Sequence, residues 1–399
     1  MGHTGSSLSR ATRAAQLQRR QNLLAALRAE PSALDAHDTV VLVDLDAVEA
    51  RTQELWRCFP YSTLHALRRG ACPVPGLLSA LEAGRFGQRV DDPAELAAAL
   101  AQLPPDRIVG AGAGRAEPQL RALVEAGAHI NVDSLQELRW LEALQPAPGP
   151  LHCLTLHFGW DQRPALQPPL LEGVDASADL AAILSAFKKR GPLRGLALAV
   201  HPAWGVEALC AAVSGMVSLA LQIEASGGRV QVLDLGDLLP VALAEPEPAP
   251  VQALIDRLAV GCPELMLGVL KGRWTLRTGV GAGVFARATA VITRVGSTRR
   301  VGARSRAWCG AALPEDAVEV HVHTPDGLLK RGAHAHWDLI GAAGPGAPLA
   351  EGRYLPPMAP GDLLWLQGLA VPCAQGRGPV FGVRSADEGL ALVPLRPAP

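Results

Sequence analysis

The chain has 399 residues, of which 49% are hydrophobic and 19% charged, and its formal net charge is −1. This length and apolar content suit about two domains with buried cores and exclude disorder throughout the chain. The near-neutral charge argues against a nucleic-acid partner or an anionic membrane surface, and no apolar run approaches the length of a bilayer span.

Residues 1–37 are predicted to form an extension outside the main domains. The stretch SRATRAAQLQRRQNLLAALRAE carries leucines on one loose stripe, which predicts a helix. These leucines are Leu17, Leu23, Leu24 and Leu27. The arginine-rich, polar composition favours a solvated, frayed segment, and docking to a partner or to nucleic acid is the alternative.

Strand and helix patterns alternate from residue 38 to residue 280. Residues 39–45, TVVLVDL, predict a buried strand, and a helix is predicted from near Asp46. Strand–helix units then follow one another from STLHAL and PGLLSALEAG to RVQVLDLG. Such repetition predicts a parallel α/β architecture, and eight units would close a (β/α)8 TIM barrel. The first strand, 39–45, is predicted to join the domain that follows the barrel.

The pattern changes in residues 281–399. FARATAVITRV, AVEVHVHT, GDLLWLQGL and LALVPL are short strand-like runs separated by Gly, Pro and Asp turns, with hardly any helical pattern. An all-β C-terminal domain is therefore predicted.

Four segments resemble the fold-type III pyridoxal-phosphate-dependent decarboxylases, which have an alanine racemase-like barrel, and among them the diaminopimelate branch most. The segments are 40–55, 106–141 with INVDSLQEL, 230–241 and 354–366. They occur in the family's order, and the similarity extends over roughly residues 38–395. The resemblance implies a barrel followed by a β-domain, and a head-to-tail dimer.

The family binds pyridoxal phosphate as a Schiff base to a lysine near the end of an early barrel strand, in a K-A-N motif. Here that motif reads His65-Ala66-Leu67, and an imidazole cannot form a stable imine. The chain has four lysines, and none precedes residue 188: Lys188, Lys189, Lys271 and Lys330. None of them is a credible replacement.

The family's phosphate-binding segments are also altered. Its triple-glycine run reads Gly236-Asp237-Leu238 here, and the carboxylate of Asp237 would repel a phosphate. The E-P-G-R segment corresponds to residues 279–282, GVGA. Gly236 and Gly281 are thus remnants of two phosphate loops.

Three further family features are missing. The cofactor-stacking histidine would fall near Ala197 or Ala199, and His201 is displaced by at least two residues. The interface motif C-E-S-x-D corresponds to residues 342–350, AAGPGAPLA, and the late tyrosine to Pro372.

These losses predict a catalytically degenerate homologue, a pseudoenzyme with a regulatory or scaffolding role. No bound cofactor is expected. Pyridoxal phosphate is expected only if this chain keeps the family's usual dependence on that cofactor. The predicted partners are a second copy or an active decarboxylase paralogue, with neither nucleic acid nor membrane. One alternative is a pyridoxal-independent enzyme, or a binder of an amino-acid-like ligand, that uses His65, His157, His201 and Asp237 at the barrel mouth. The other alternative is an active diaminopimelate or ornithine-type decarboxylase.

Other motifs give weaker hypotheses. Two pairs of histidines at alternate strand positions could ligate zinc or copper, although half-exposed strand histidines are the more ordinary interpretation. These are His321, His323, His334 and His336. Cys72 with His65 could be imagined as a nucleophilic pair, although no third member is evident. For Cys153, His152 and His157, core or rim packing is favoured. Residues 110–115, GAGAGR, allow anion binding or simply a tight loop.

The cysteines and the N-terminus bear on location. Seven cysteines are dispersed without a CxxC pair, which favours reduced thiols. The N-terminus lacks the apolar segment of a secretory signal. A cytoplasmic protein is therefore predicted.

Overall fold

The computed structural model describes residues 10–30, 34, 38–68, 85–144, 149–158, 173–188, 191, 193–200, 204–238, 251–280, 284–285, 288–310, 319–341, 348–367, 379–386 and 389–396. For residues 10–16, 348–350 and 396 it describes the backbone alone. The described residues form two compact units. One contains those from 54 to 281, and the other contains those up to 53 together with those from 282 onward.

The described helices, in chain order, are α1 (Arg10–Ala29), α2 (Leu45–Cys58), α3 (Pro93–Leu100), α4 (Glu117–Glu125), α5 (Leu135–Leu144), α6 (Leu180–Lys188), α7 (Val206–Ala225), α8 (Val251–Gly261) and α9 (Pro263–Leu270). The described strands are β1 (Thr39–Asp44), β2 (Leu64–Arg68), β3 (Gly87–Val90), β4 (Ile108–Gly110), β5 (His129–Val132), β6 (His152–His157), β7 (Val174–Asp175), β8 (Leu193–Leu198), β9 (Val232–Asp237), β10 (Thr275–Gly279), β11 (Thr289–Val301), β12 (Arg304–Cys309), β13 (Glu319–His323), β14 (Ala335–Ile340), β15 (Pro348–Leu355), β16 (Leu363–Gln367), β17 (Val380–Ala386) and β18 (Gly389–Arg396).

The first unit is a closed barrel of eight parallel strands. The strands are hydrogen-bonded in the order β5-β4-β3-β2-β10-β9-β8-β6, and β6 pairs with β5 to close the ring. The short β7 pairs with β6 alone. The predicted (β/α)8 TIM barrel is therefore confirmed.

Small residues let side chains fill the lower part of the barrel interior. Cys153, Ala197 and Val232 form a buried cluster there, with Leu151 packed against it. A Cβ at Gly195 would lie 2.6 Å from the Cys153 Sγ, so glycine is required at this position. The interior is thus packed rather than open at this level, as in other barrels of this kind.

Among the described helices, α7 is long and apolar enough to cross a membrane by its length and composition. Of its most apolar window, 56% is buried inside the structure. This burial is typical of a core helix in a soluble fold, so its composition is weak evidence for a membrane span.

The second unit is built on a mixed sheet with the strand order β15-β14-β12-β11-β1-β17-β18. Strand β16 pairs with β11 and with β13. Strand β1, although it comes before the barrel strands in sequence, runs antiparallel to β11 and parallel to β17. The predicted all-β domain after the barrel is confirmed.

Helix α1 belongs to the core of this second unit. Leu23, Leu24 and Leu27 are buried in one cluster with residues of the sheet. Arg20 on the same helix forms an ion pair with Glu319 of β13, with 2.9 Å between its Nη2 and Oε2. The expectation of a solvated, frayed segment is therefore wrong for residues 17–29, because the leucine stripe covers a sheet face.

Candidate functional site

Four charged side chains meet at the carboxyl ends of the barrel strands. They are Arg68 at the end of β2, Arg89 on β3, Asp91 just after β3 and Asp237 at the end of β9, and we call them the mouth cluster. Arg89 Nη1 donates to Asp237 Oδ1 at 3.0 Å. Arg68 lies 3.1 Å from Asp91 and 4.0 Å from Asp237. Active sites of such barrels lie at this end of the strands.

The Arg89–Asp237 pair spans the barrel interior. In the ring of strands, β3 and β9 are separated by β2 and β10, so the contact cannot run along the sheet. The Arg89 side chain is only 10% exposed, whereas that of Asp237 is 31% exposed. Burial lowers the pKa of Arg89, but the Asp237 and Asp234 carboxylates outweigh burial and raise it above its usual value.

A β-bulge aims Asp237 into the interior. Arg277 of β10 pairs with Asp234, and Gly279 pairs with Asp237, so β9 has one residue more than β10 between these pairs. Gly236 is the extra residue, and its backbone lies in the left-handed region with φ of +65°. A Cβ at this position would lie 2.3 Å from the Leu198 carbonyl oxygen. Without the extra residue, strand alternation would turn Asp237 away from the face of Asp234.

A second polar layer lies below the mouth cluster. Asn131 Nδ2 on β5 donates to Asp234 Oδ2 on β9 at 2.8 Å, across the interior. The Gly236 N–H donates to the other oxygen of Asp234 at 3.0 Å. Arg277 Nη1 donates to the Leu151 carbonyl oxygen at 3.0 Å. The barrel interior therefore holds several arginines and aspartates, of which Arg89 and Asp237 form an ion pair.

His65 does not lie at the barrel mouth. Its Nδ1 is 2.8 Å from the Thr278 Oγ1, and its ring makes an edge contact with Phe59, which follows α2, at 5.1 Å between ring centroids. Leu64, the preceding residue, pairs in register with Arg277, whose Nη1 reaches the Leu151 carbonyl oxygen across the interior, so Leu64 lies on the interior face. The expectation that His65 is a barrel-mouth group is therefore wrong, since its ring faces the helix layer.

Acid is expected to destabilise the protein through His65. Burial, with a smaller effect of Arg85, lowers the pKa of His65 to about 4. An unfolded chain takes up this proton at a pKa of about 6.5. Between those values the unfolded state binds more protons, so stability falls as the pH drops, by at most about 1.4 kcal/mol per pH unit for this residue.

Urea denaturation at several pH values from about 7 to 4.5 measures this slope. The His65→Gln variant keeps a donor for Thr278 and has no titration, so its slope should be shallower than that of the native chain. Burial also lowers the pKa values of His129, His152 and His323, to about 4, 3 and 4, so part of the slope remains. Equal slopes in the two proteins would contradict the assignment.

The other predicted groups are described only in part. His157, half-buried, ends β6 and lies on the strand face of Cys153. Cys153 is fully buried, and burial raises its pKa to about 12, so it suits packing and not nucleophilic attack. His201, Gly281, Cys72, Pro372 and residues 342–347 lie outside the described residues.

The GAGAGR loop is organised by a buried ion pair. Arg115 Nη2 lies 2.7 Å from Glu137 Oε2, and both side chains are 3% exposed. The Arg115 guanidinium also donates to the Asn131 carbonyl oxygen. Glu137 Oε2 further accepts the Asp133 N–H at 2.9 Å. The loop thus uses its arginine to hold α5 to the end of β5.

The four histidines of the β-unit do not form one site. His323 is buried and its Nδ1 donates to the Gly327 carbonyl oxygen, while His321 lies 3.3 Å from Glu319. His334 and His336 are exposed and pack on the ring of Tyr354. The described residues contain no group of three or more metal-ligating side chains.

The described lysines lie away from the barrel strands. Lys188 is exposed at the end of α6, and Lys271 is exposed after α9. Lys330 Nζ bonds Asp362 Oδ2 at 2.6 Å in the β-unit. Lys189 is outside the described residues. No described barrel strand therefore carries a primary amine.

Sequence reasoning missed Arg68, Arg89 and Asp91. A signal was present in RFGQRVDDP, where an arginine interrupts an otherwise buried strand just before two aspartates. A charge at a buried strand position needs a partner, and Asp237 is a suitable one.

No family model matches the chain. The chain is similar to a diaminopimelate decarboxylase of Zymomonas mobilis subsp. mobilis, with 27% identity over 207 residues, which is 48% of this chain and 49% of that protein. The matched segment thus spans about half the length of this curated relative.

Solved structures share the fold over most of the chain. A diaminopimelate decarboxylase from Helicobacter pylori complexed with L-lysine is 16% identical, with 90% of this chain and 94% of that chain covered and a TM-score of 0.68. An arginine decarboxylase of Paramecium bursaria Chlorella virus bound to agmatine is 14% identical, with 88% and 95% covered and a TM-score of 0.71. A lysine/ornithine decarboxylase from Vibrio vulnificus complexed with putrescine is 17% identical, with 89% and 93% covered and a TM-score of 0.67. The resemblance predicted from the sequence is confirmed for the fold.

Proposed function

We propose that this chain, which has the barrel and β-domain fold of the fold-type III pyridoxal-phosphate-dependent decarboxylases and is a homologue of them, is a pseudoenzyme that does not use that cofactor. Its role is regulatory or scaffolding, in amino-acid or specialised metabolism in the cytoplasm. The observation that carries the proposal is the chemistry of the barrel mouth, where the described strands offer an arginine–aspartate cluster and no amine.

The described residues do not fit pyridoxal phosphate. Covalent attachment of its aldehyde needs a lysine, and Ala66 and Leu64 are the neighbouring interior positions of β2. At Gly279, the space that a side chain would enter is already filled, because a Cβ there would lie 1.8 Å from Asp237 Oδ1. An anionic phosphate beside this carboxylate would be repelled. These points support loss of the cofactor.

The alternatives have less support. A pyridoxal-independent enzyme would need titratable groups that converge at the mouth, but His65 faces the helix layer. Of the groups predicted for such a site, Asp237 is neutralised by arginines. An active diaminopimelate or ornithine-type decarboxylase would need an amine that no described barrel strand supplies.

A regulatory role requires a partner, which we propose is either a second copy or an active decarboxylase paralogue. The assay is CO2 release from diaminopimelate, lysine, ornithine and arginine with excess pyridoxal phosphate, with an active diaminopimelate decarboxylase as the positive control. We expect no release by this chain above that of the heat-denatured sample. Release that depends on the cofactor would overturn the proposal.

The partner is tested separately by light scattering of the chain alone and mixed with a paralogue from the same genome. We expect a dimer in one of the two samples and, for the mixed dimer, a changed rate of CO2 release by the paralogue. A chain that stays monomeric in both samples would overturn the scaffolding role.

A further inference from the structure

The carboxylate of Asp237 lies between two arginines. Its Oδ1 accepts from Arg89 Nη1 at 3.0 Å, and its Oδ2 lies 4.0 Å from Arg68 Nη2. Guanidinium groups present planar sets of N–H donors that match carboxylate and phosphate oxygens. Asp237 therefore stands where a small oxyanion would stand if Arg68 and Arg89 were free to bind one.

The backbone is shaped to bring this carboxylate in. The bulge at Gly236 turns Asp237 to the interior, and Gly279 leaves room for it. A Cβ at Gly279 would lie 1.8 Å from Asp237 Oδ1 and 2.5 Å from Arg89 Nη1. Strands β9 and β10 thus each need a glycine, Gly236 and Gly279, so that the Asp237 carboxylate can reach Arg89.

The arginines retain unused donors. The Nε atoms of Arg89 and Arg68 are buried and have no hydrogen-bond partner among the described residues. The Arg89 side chain is nine-tenths buried, so bulk water screens its charge poorly. These N–H groups are donors that Asp237 leaves unused.

The other nearby carboxylates are already engaged. Asp234 accepts from Asn131 Nδ2 and from the Gly236 N–H, and Asp91 lies 3.1 Å from Arg68. Removal of Asp237 would therefore leave Arg89 with an excess of positive charge in the barrel interior. A mobile oxyanion is the species that would restore the balance.

We propose that Asp237 is an intramolecular counter-ion that occupies and closes an oxyanion site formed by Arg68 and Arg89. The native chain then needs no bound anion to hold β3 against β9, and it does not respond to phosphate. This proposal does not depend on the regulatory role, because it concerns only the barrel interior.

The test compares the native chain with Asp237→Ala, which removes the carboxylate and opens the space. Binding of inorganic phosphate is measured by calorimetry, and the thermal unfolding midpoint is recorded in phosphate and in chloride at equal ionic strength and pH. We expect Asp237→Ala to bind phosphate at least about tenfold more tightly than the native chain. Its midpoint should rise with phosphate concentration, whereas that of the native chain should not. Acetate in place of phosphate shows whether a carboxylate also fits.

Two further variants keep the test decisive. The Arg89→Gln/Asp237→Ala variant should lose the phosphate response, because the buried guanidinium is gone. If Asp237→Ala folds only in the presence of phosphate, that dependence is itself the expected response. If it does not fold in either salt, Asp237→Ser, which keeps a polar group but still vacates the space of the carboxylate, replaces it. Phosphate affinity equal to that of the native chain, or a response that survives loss of Arg89, would overturn the proposal.

Discussion

Replacing Arg115 with methionine is expected to lower the free energy of unfolding of the barrel unit by about 3–5 kcal/mol. The variant leaves the Glu137 carboxylate, which is 3% exposed, without its cation. Two backbone N–H groups, those of Asp133 and residue 115, still donate to Glu137, so the acid stays partly satisfied. The loss of stability is measured by urea or guanidinium denaturation of each variant.

Two controls make this result specific. Arg121→Met removes an exposed pair with Glu117 one helical turn away, and it should cost no more than about 0.5 kcal/mol. In Arg115→Met/Glu137→Gln no unpaired charge is buried, so much of the lost stability should return. A double variant as unstable as the single one would show that packing, and not the ion pair, holds the loop.

Replacing Arg89 with glutamine is expected to cost about 3 kcal/mol of the same free energy. Arg89 is the cation between Asp237 and Asp234, and its side chain is 10% exposed. Arg68→Gln is the matched control, because that side chain is 42% exposed and its pair with Asp91 should contribute no more than about 1 kcal/mol.

A double-mutant cycle with Asp237→Asn isolates the Arg89–Asp237 contact. Residues in direct contact usually show a coupling free energy of about 0.5–3 kcal/mol, and we expect this pair to lie in the upper part of that range. Additive effects of Arg89→Gln and Asp237→Asn would show that the two charges do not stabilise the barrel through each other.

The fold could be predicted because its signals are long and repeated. Strand–helix alternation over residues 38–280 defined the barrel, and the loss of helical pattern after residue 280 defined the β-domain. The packing of α1 was harder to predict, because arginines and leucines are compatible with a solvated helix as well as with one that covers a sheet. The neighbours of Leu24 and Leu27 are sheet residues distant in sequence, which a local pattern does not show.

The arrangement of the site was harder to predict, because it depends on which face of a strand each single residue occupies. A strand alternates with a period of two, so the one-residue difference between His65 and Ala66 decides which side chain faces the interior. The motif alignment predicted that His65 faces the barrel interior, whereas its ring contact with Phe59 places it on the outer face of β2. Asp237 shows the converse case, because the bulge at Gly236 reverses the face that alternation would give it.

We propose that this barrel holds no pyridoxal phosphate. The most direct test of this proposal is the absorbance spectrum of the chain after incubation with excess cofactor and extensive dialysis, recorded before and after borohydride reduction and followed by intact mass analysis. We expect no visible Schiff-base band after dialysis and no stoichiometric mass increase, because the described barrel strands have no lysine. One equivalent of retained cofactor, with a visible band that borohydride removes, would contradict this proposal.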